Sequence, residues 1–117
     1  MLYINNNGKV LPREAPQISA ASRSYLYGDG IFESVRIFSG KPIHLQAHVM
    51  RLLKGADALC FQVPAFFTAD FVEKKIIELV ALSKITLGAR CRISLDRAEG
   101  GFYKPERNDA LFFIEII

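Results

Sequence analysis

Arginines are the residues of this chain whose placement could support chemistry. Arg36 lies on the polar and aromatic side of a stretch of alternating residues, and Arg90 and Arg92 share the polar side of a second such stretch. Arg51 projects from the polar side of a stretch with helical periodicity. Guanidinium groups form forked hydrogen bonds with carboxylates and phosphates, so converging arginines would make an anion site. An amphipathic sheet that exposes its arginines to water explains the pattern equally well.

Two aromatic residues favour a pocket over a solvated surface. Tyr27 and Phe32 stand close to Arg36 in the sequence. Polar groups that are framed by aromatic rings are typical of small-molecule sites. The anion site is therefore predicted to accept a small molecule.

Other kinds of site have weaker support. His44 and His48 are four residues apart, but no carboxylate completes a zinc set, and we interpret both as structural. No serine sits in a strained turn between two glycines, as nucleophilic hydrolases require. Gly28-Asp29-Gly30 leads into a predicted strand, whereas a phosphate-binding glycine loop leads into a helix. The chain therefore predicts no metal site and no nucleophilic triad.

The central elements that position these arginines follow from periodicity. Period-two alternation predicts a strand after Gly30, in which Glu33 is a charged exception on an otherwise apolar face. Helical periodicity predicts two consecutive helices, one with an apolar stripe over 45–60 and one over 68–88. Thr68 is expected to cap the second helix at its start, and a glycine to close it at its end.

Four further strands complete the predicted sheet. A hairpin of 2–4 and 9–11 surrounds an Asn-Gly turn, and strands over 89–96 and 110–117 follow the helices. Residues 12–23 are predicted to be an extended connector, because they contain two prolines and little periodicity. The order β-β-β-α-α-β-β predicts an α+β fold. We expect a two-layer sandwich, a mostly antiparallel sheet with both helices on one face.

Composition excludes several classes of protein. The 117 residues are half hydrophobic with a net charge of +3, which indicates one globular domain and no nucleic-acid partner. No apolar run is long enough to cross a membrane, and no signal peptide is visible. Cys60 and Cys91 form no metal or disulfide pattern, so we predict core thiols and a cytoplasmic protein.

Five segments carry a family resemblance. They are YGDGIFESVR (27–36), GKPIHL (40–45), HVMRL (48–52), RISLDR (92–97) and GGFY (100–103). Together they resemble the N-terminal domain of class IV aminotransferases, the fold-type-IV enzymes that use pyridoxal 5'-phosphate. Branched-chain aminotransferases, D-amino-acid aminotransferases and aminodeoxychorismate lyases belong to this family.

The resemblance implies roles for individual residues. Arg51, within the His-x-x-Arg-Leu motif, corresponds to the arginine that holds the phosphate of pyridoxal 5'-phosphate. Tyr27, Phe32 and Arg36 match positions in or beside the substrate pocket. Arg92 aligns with an arginine that some members use near the substrate carboxylate. Arg97 matches an arginine common in the family, to which we assign no role here.

The resemblance also implies the domain organisation, the activity and the assembly of the chain. Residues 1–117 are expected to form a single small domain. In the family, a larger C-terminal domain supplies the lysine that forms the Schiff base with the cofactor. No lysine of this chain matches that position, so no catalytic residue is assigned and the chain alone is predicted to be inactive. The family is dimeric, so we expect a homodimer that binds a small-molecule amino acid and 2-oxo acid.

Three functions remain open from the sequence. The first is an aminotransferase that moves an amino group between a branched-chain or D-amino acid and a 2-oxo acid. The Glu33-Ser34-Val35-Arg36 segment resembles the Glu-x-x-Arg motif of those members and favours this hypothesis. The second is an aminodeoxychorismate lyase that releases pyruvate and 4-aminobenzoate. The third is a non-catalytic module that binds an anionic metabolite through the same arginines.

Overall fold

The computed structural model describes all residues, Met1–Ile117, as six strands and three helices. In chain order they are β1 (Tyr3–Asn6), β2 (Lys9–Pro12), α1 (Arg23–Tyr27), β3 (Gly30–Phe38), β4 (Lys41–Pro42), α2 (Leu45–Ala58), α3 (Ala69–Leu82), β5 (Ala89–Arg97) and β6 (Ala110–Ile116).

A single antiparallel sheet organises the molecule. Its strand order is β2-β1-β6-β5-β3-β4, and every neighbouring pair is antiparallel. α2 packs against β3, and α3 packs against β6 and β1. The predicted α+β class, with two consecutive helices on one face of an antiparallel sheet, is confirmed.

The hydrophobic core lies between the sheet and its two long helices. Val35, Ile93 and Ile114 on the three central strands are fully buried, as are Ile76 and Leu79 on α3. Their spacing follows from local geometry, since strand residues alternate between faces and helix residues three or four apart share one face. Each such side chain contributes about 1.5–3 kcal/mol by leaving water.

The connector differs from its prediction at its end. Residues 12–23 are predicted to be extended throughout, but Arg23 starts the five-residue helix α1, which ends at Gly28 with φ of 64°. No side chain caps this helix at Ser22. A helix this short is not stable from local propensity, so sequence periodicity does not reveal it. The predicted turn over 39–42 likewise contains the two-residue strand β4.

Both long helices end earlier than predicted. α2 stops at Ala58, so Leu59 and Cys60 are exposed instead of belonging to the apolar stripe, and Cys60 has φ of 61°. The prediction of a core thiol is therefore wrong for Cys60. It is confirmed for Cys91, which is fully buried.

The start of α3 is confirmed, and its end is not. The Thr68 side chain accepts a hydrogen bond from the Phe71 backbone N–H at 3.2 Å, which caps the helix as predicted. The helix stops at Leu82 instead of continuing to Gly88. Ser83 follows it, and its hydroxyl accepts a hydrogen bond from the Tyr3 backbone N–H at 3.2 Å. None of the three helices is long and apolar enough to cross a membrane.

Candidate functional site

A carboxylate on β3 holds two basic side chains of α2. The Glu33 oxygens accept hydrogen bonds from Arg51 Nε at 3.0 and 3.2 Å and from Arg51 Nη2 at 2.7 Å. The His48 Nδ1 lies 2.7 Å from Glu33 Oε1 and donates to it, because an ionised carboxylate can only accept. The three side chains form one connected polar cluster, here called the Glu33 cluster.

Local structure explains why these three residues meet. His48 and Arg51 are three residues apart on α2, so they share a flank of that helix. Glu33 lies on the helix-facing side of β3, between the partly buried Ile31 and the fully buried Val35 of the strand's apolar face. The charged exception in the alternating pattern is thus explained by partners on a different element.

The electrostatics of the Glu33 cluster favour the charged state. Glu33 is only 9% exposed, whereas the Arg51 side chain is 71% exposed. Hydrogen bonding from Arg51 lowers the pKa of Glu33 below its ordinary value of 4.5, with a smaller lowering from His48, and outweighs the opposing effect of burial. Hydrogen bonding to Glu33 correspondingly raises the pKa of Arg51. Arg51 is therefore a guanidinium whose orientation is fixed while most of its surface faces solvent.

The opposite side of the sheet carries the other arginines. Arg36 on β3 stands directly across from Arg90 on β5, and Arg92 stands across from Ser34. The Arg92 guanidinium carbon lies 4.2 Å from the centre of the Phe32 ring, within the range of a cation–π contact. This side, which faces away from the two long helices and carries Phe32, Arg36, Arg90 and Arg92, is called the open face below.

Three arginines of the open face lack a carboxylate partner. None of the ion pairs in the structure involves Arg36, Arg90 or Arg92. Like charges directly opposite each other on neighbouring strands repel, so the pairing of Arg36 with Arg90 costs stability. An anionic ligand would relieve this repulsion, which makes the open face suitable for a carboxylate or phosphate.

A shallow cavity of about 230 Å³ adjoins Arg92 on the open face. Ser24, Asp96 and Glu115 also line it. Burial raises the pKa of Asp96 above its ordinary value, and a hydrogen bond with Ser24 and the charge of Arg92 partly oppose that effect. The cavity therefore combines the Arg92 guanidinium with two carboxyl groups, those of Asp96 and Glu115, and Glu115 stands directly across from Arg92 on β6.

Tyr27 occupies a different place, at the end of α1. Its ring lies 4.8 Å from the guanidinium carbon of Arg23 and is exposed. Together with Asp29, Arg97 and Tyr103 it lines a cavity of about 340 Å³. The Gly28–Gly30 turn connects this cavity to the first residues of β3.

The structure brings together only part of the predicted site. Phe32, Arg36 and Arg92 share the open face, as their positions in the alternating strands predict. Arg51 reaches Glu33 on the helix-facing side of the sheet, and Tyr27 lies beyond the start of β3. The five residues therefore lie on both faces of β3 and beyond its first residue.

Sequence reasoning missed the roles of two acidic residues. Glu33 orients Arg51, and Asp29 bonds two arginines at the turn before β3. A signal for Glu33 is present in the sequence, because it is a charged residue at an apolar position. Asp29 gives no such signal, because a Gly-Asp-Gly turn is explained by local backbone chemistry alone.

No group of three potential metal-ligating side chains occurs in the structure. His44 precedes α2 in the left-handed region, with φ of 56°, and His48 bonds Glu33. The donors that remain are guanidinium groups and hydroxyls, which suit anions.

Comparison with known proteins connects this geometry to one family. The family model described as amino-transferase class IV matches residues 30–116. A putative branched-chain-amino-acid aminotransferase of Methanocaldococcus jannaschii is 36% identical over 58 residues, which are 50% of this chain and 20% of that protein. A D-alanine aminotransferase of Staphylococcus epidermidis is 30% identical over 74 residues, which are 63% of this chain and 24% of that protein.

One solved structure contains nearly the whole fold of this chain. The T.th. branched-chain amino acid aminotransferase, complexed with N-(5'-phosphopyridoxyl)-L-glutamate, superposes with a TM-score of 0.84 at 25% identity. The match covers 98% of this chain and 39% of that protein. The matched segments therefore cover about a fifth to a quarter of the length of these curated relatives and about two fifths of the solved structure.

Proposed function

Since the chain belongs to the class IV aminotransferase family, we propose that it is the small domain of a pyridoxal-phosphate-dependent aminotransferase. The parent enzyme would transfer an amino group between an amino acid, branched-chain or D, and a 2-oxo acid. Relatives named for both reactions support this substrate class. The lysine that carries the cofactor would belong to a part of the parent outside residues 1–117, so we expect this chain to be inactive alone.

The orientation of Arg51 is the observation that carries this proposal. Glu33 engages Nε and Nη2 of Arg51, while Nη1 has no protein acceptor and the side chain is 71% exposed. A guanidinium that is anchored on one edge and free on the other suits a phosphate, which takes several N–H donors at once. The residues therefore fit the phosphate of pyridoxal 5'-phosphate, and Arg51 would hold it.

The chemistry divides between the cofactor and the chain. When bound, pyridoxal 5'-phosphate supplies the conjugated ring that takes up electrons from the reacting carbon of the amino acid. This chain supplies binding and orientation: Arg51 holds the phosphate, and Glu33 prevents the guanidinium from turning away. The fixed orientation reduces the entropy lost when the phosphate binds.

We propose that the substrate contacts the open face. Neither Arg36 nor Arg92 forms an ion pair within the chain, and the Phe32 ring next to Arg92 offers an apolar surface. A substrate that places its carboxylate beside Arg92 and its hydrocarbon part over Phe32 would match both the positive charge and the apolar ring. Tyr27 would close the end of this wall, and these four residues are called the substrate wall below.

The cofactor part of the proposal is tested by binding of pyridoxamine 5'-phosphate. This amine form cannot react with lysines, and the T.th. enzyme has been solved with it. Titration followed by ¹⁵N NMR should perturb the Arg51 side-chain resonance, and Arg51→Gln should weaken binding about tenfold or more.

Arg13→Gln is the matched control for that titration. Arg13 is also an exposed arginine that bonds a carboxylate, that of Glu115, at 3.0 Å. The proposal predicts that this substitution leaves the affinity within about twofold of the original, since Arg13 has no assigned contact with the phosphate. Equal weakening by both substitutions would show non-specific attraction to positive charge and would refute the assignment of Arg51.

The substrate wall is tested with 4-methylvaleric acid, which is bound in another structure of the T.th. enzyme. Arg92→Gln should weaken its binding about tenfold, because it removes the charged partner of the carboxylate. Arg107→Gln serves as control, because Arg107 pairs with Asp109 and does not line the cavity beside Arg92. Unchanged affinity in Arg92→Gln would exclude Arg92 from the wall.

We also propose that the parent is a homodimer. The open face exposes Phe32 and Phe38, whose rings are each more than half accessible. Exposed aromatic groups on an otherwise amphipathic sheet favour association with another surface. Sedimentation of the chain at increasing concentration should show self-association, and a monomer at all concentrations would count against this part of the proposal.

A further inference from the structure

Asp29 lies between two buried arginines at the turn that leads into β3. Its Oδ2 accepts a hydrogen bond from Arg23 Nε at 2.8 Å and another from Arg97 Nε at 2.9 Å. The two arginine side chains are only 5% and 9% exposed. These three residues, called the Asp29 clamp below, join α1, the Gly28–Gly30 turn and the end of β5.

Arg23 extends the clamp to the loop after β5. Its Nη1 donates to the backbone carbonyl oxygens of Gly100 at 3.1 Å and Phe102 at 2.8 Å. Its guanidinium also lies 4.8 Å from the centre of the Tyr27 ring. One side chain therefore fixes both the ring of Tyr27 and the loop across the cavity from it.

Arg97 connects the clamp to the end of α2 and to the segment that precedes β6. Its Nη1 donates to Asn108 Oδ1 at 2.6 Å, and its Nη2 donates to the Leu59 carbonyl oxygen at 2.7 Å, just past the end of α2. The Arg97 backbone N–H donates to the Asp29 carbonyl oxygen at 3.1 Å. Each nitrogen of the Arg97 guanidinium thus has a separate protein acceptor.

The arginines of the Asp29 clamp could either bind a small anion in the neighbouring cavity or hold segments of the protein in place. Their hydrogen bonds decide between these two interpretations. The cavity beside them measures about 340 Å³, which is large enough for a small anion. However, every guanidinium nitrogen of Arg97 already bonds the protein, and the Phe61 ring covers the group at 4.5 Å. Arg23 already bonds Asp29 and two carbonyl oxygens. Guanidinium groups that are buried and engaged in this way act on the protein's own segments.

We infer that the Asp29 clamp positions Tyr27 and the 98–109 loop against the start of β3. This inference rests on the proposed placement of Tyr27 in the substrate wall, and it assigns Asp29, Arg23 and Arg97 as positioning residues. α1 has five residues and no side-chain cap, so the clamp supplies the orientation that local helix stability cannot.

The clamp is tested in the whole chain by hydrogen exchange and by the Tyr27 ring resonance. Asp29→Asn keeps the shape of the side chain and removes the charge that both arginines share. We expect the amides of Gly28 and Arg97, which are bonded to Ser24 and Asp29, to exchange about 10- to 100-fold faster. The ring resonance of Tyr27 should shift, while that of exposed Tyr25 on the same helix stays unchanged.

Two variants of Arg97 separate positioning from charge balance. Arg97→Gln removes the charge, whereas Arg97→Lys keeps the charge but cannot span the three acceptors of the guanidinium. If the clamp acts by geometry, both substitutions speed the exchange of the Gly28 amide and move the Tyr27 resonance to a similar extent. Full rescue by lysine would show that only charge is needed and would overturn the inference.

Two further outcomes are decisive. In Asp29→Asn, amide exchange that rises as much at Ile93 and Ile114 in the central strands as at Gly28 would show general destabilisation. Unchanged exchange at Gly28 would show that the clamp does not position this segment. Either result would overturn the inference. Should Asp29→Asn unfold the chain, the two Arg97 variants carry the test.

The proposed function can fail separately from the clamp. Tyr27→Ala should weaken the binding of 4-methylvaleric acid if Tyr27 belongs to the substrate wall. Unchanged affinity in that variant, together with faster exchange in Asp29→Asn, would remove Tyr27 from the wall and leave the clamp as a purely conformational device. Weakened affinity in Tyr27→Ala with unchanged exchange in Asp29→Asn would keep the wall and overturn the clamp.

Discussion

Replacement of Glu33 by glutamine tests whether the Glu33 cluster holds the first half of β3 against α2. Glu33→Gln keeps the size of the side chain but removes the negative charge that Arg51 and His48 share. A hydrogen bond to a charged group contributes about 1.5–3 kcal/mol, and exposure of the Arg51 side chain reduces that value by solvent screening. We therefore expect the free energy of unfolding to fall by about 1 kcal/mol at pH 7.

The pH dependence of this loss gives an independent check. The folded state lowers the pKa of Glu33 below its ordinary value of 4.5, mainly through the hydrogen bond from Arg51. Stability from an acid with a lowered pKa is complete above the unfolded pKa and disappears as the pH falls through the folded value. The difference between the original chain and Glu33→Gln should therefore be constant above about pH 5 and shrink progressively below pH 4.5.

Urea unfolding followed by circular dichroism at a series of pH values measures both effects. Arg13→Gln is the control, because it removes an exposed ion pair of similar type and should cost only a few tenths of a kcal/mol. If the difference in the free energy of unfolding between the original chain and Glu33→Gln persists unchanged at about pH 3, or grows there, the reasoning is refuted. The charge of Glu33 would then not be the source of that difference.

Three further predictions concern backbone space, thiol chemistry and the core. Gly40→Ala should cost about 1 kcal/mol, since its φ of 77° is unfavourable but its surroundings are open. Gly101→Ala, with the same φ, should cost at least about 1 kcal/mol more, because the added Cβ would overlap a backbone carbonyl oxygen in its own loop. Burial raises the pKa of the Cys91 thiol to about 12, so a thiol reagent at about pH 8 should modify Cys60 alone until the chain unfolds. Ile93→Ala should cost about 2–5 kcal/mol in urea unfolding, because the fully buried side chain would leave a cavity between sheet and helices.

Local patterns predicted the parts of the fold that local physics determines. The alternation in β3 follows from the two-residue period of a strand, and the Thr68 cap follows from a hydroxyl beside free backbone N–H groups. The helix ends were less predictable, because partners that are distant in sequence contribute to them. The Leu59 carbonyl accepts from Arg97, and the Ser83 hydroxyl accepts from the backbone of Tyr3.

The candidate site was likewise predictable only where it depends on the pattern within a strand, and not where it depends on how separate elements pack. Alternation placed Arg36 and Arg92 on one face, because neighbouring antiparallel strands keep their side chains in register. The pairing of Glu33 with Arg51 joins a strand to a helix, and no periodicity specifies how two elements pack in three dimensions. The same holds for Asp29, whose partners lie 6 and 68 residues away.

The strand order has a consequence for how the chain folds. The β1–β2 hairpin reaches the rest of the sheet only through β6, where Ile4 pairs with Glu115. β3 likewise pairs with β5 only after the segment containing both long helices has been bridged. Such non-local pairing slows folding, because loop-closure entropy is lost before the contacts form. During synthesis the hairpin therefore has no sheet to join until β6 leaves the ribosome, and the apolar faces of β3 and α2 stay exposed to aggregation in the meantime.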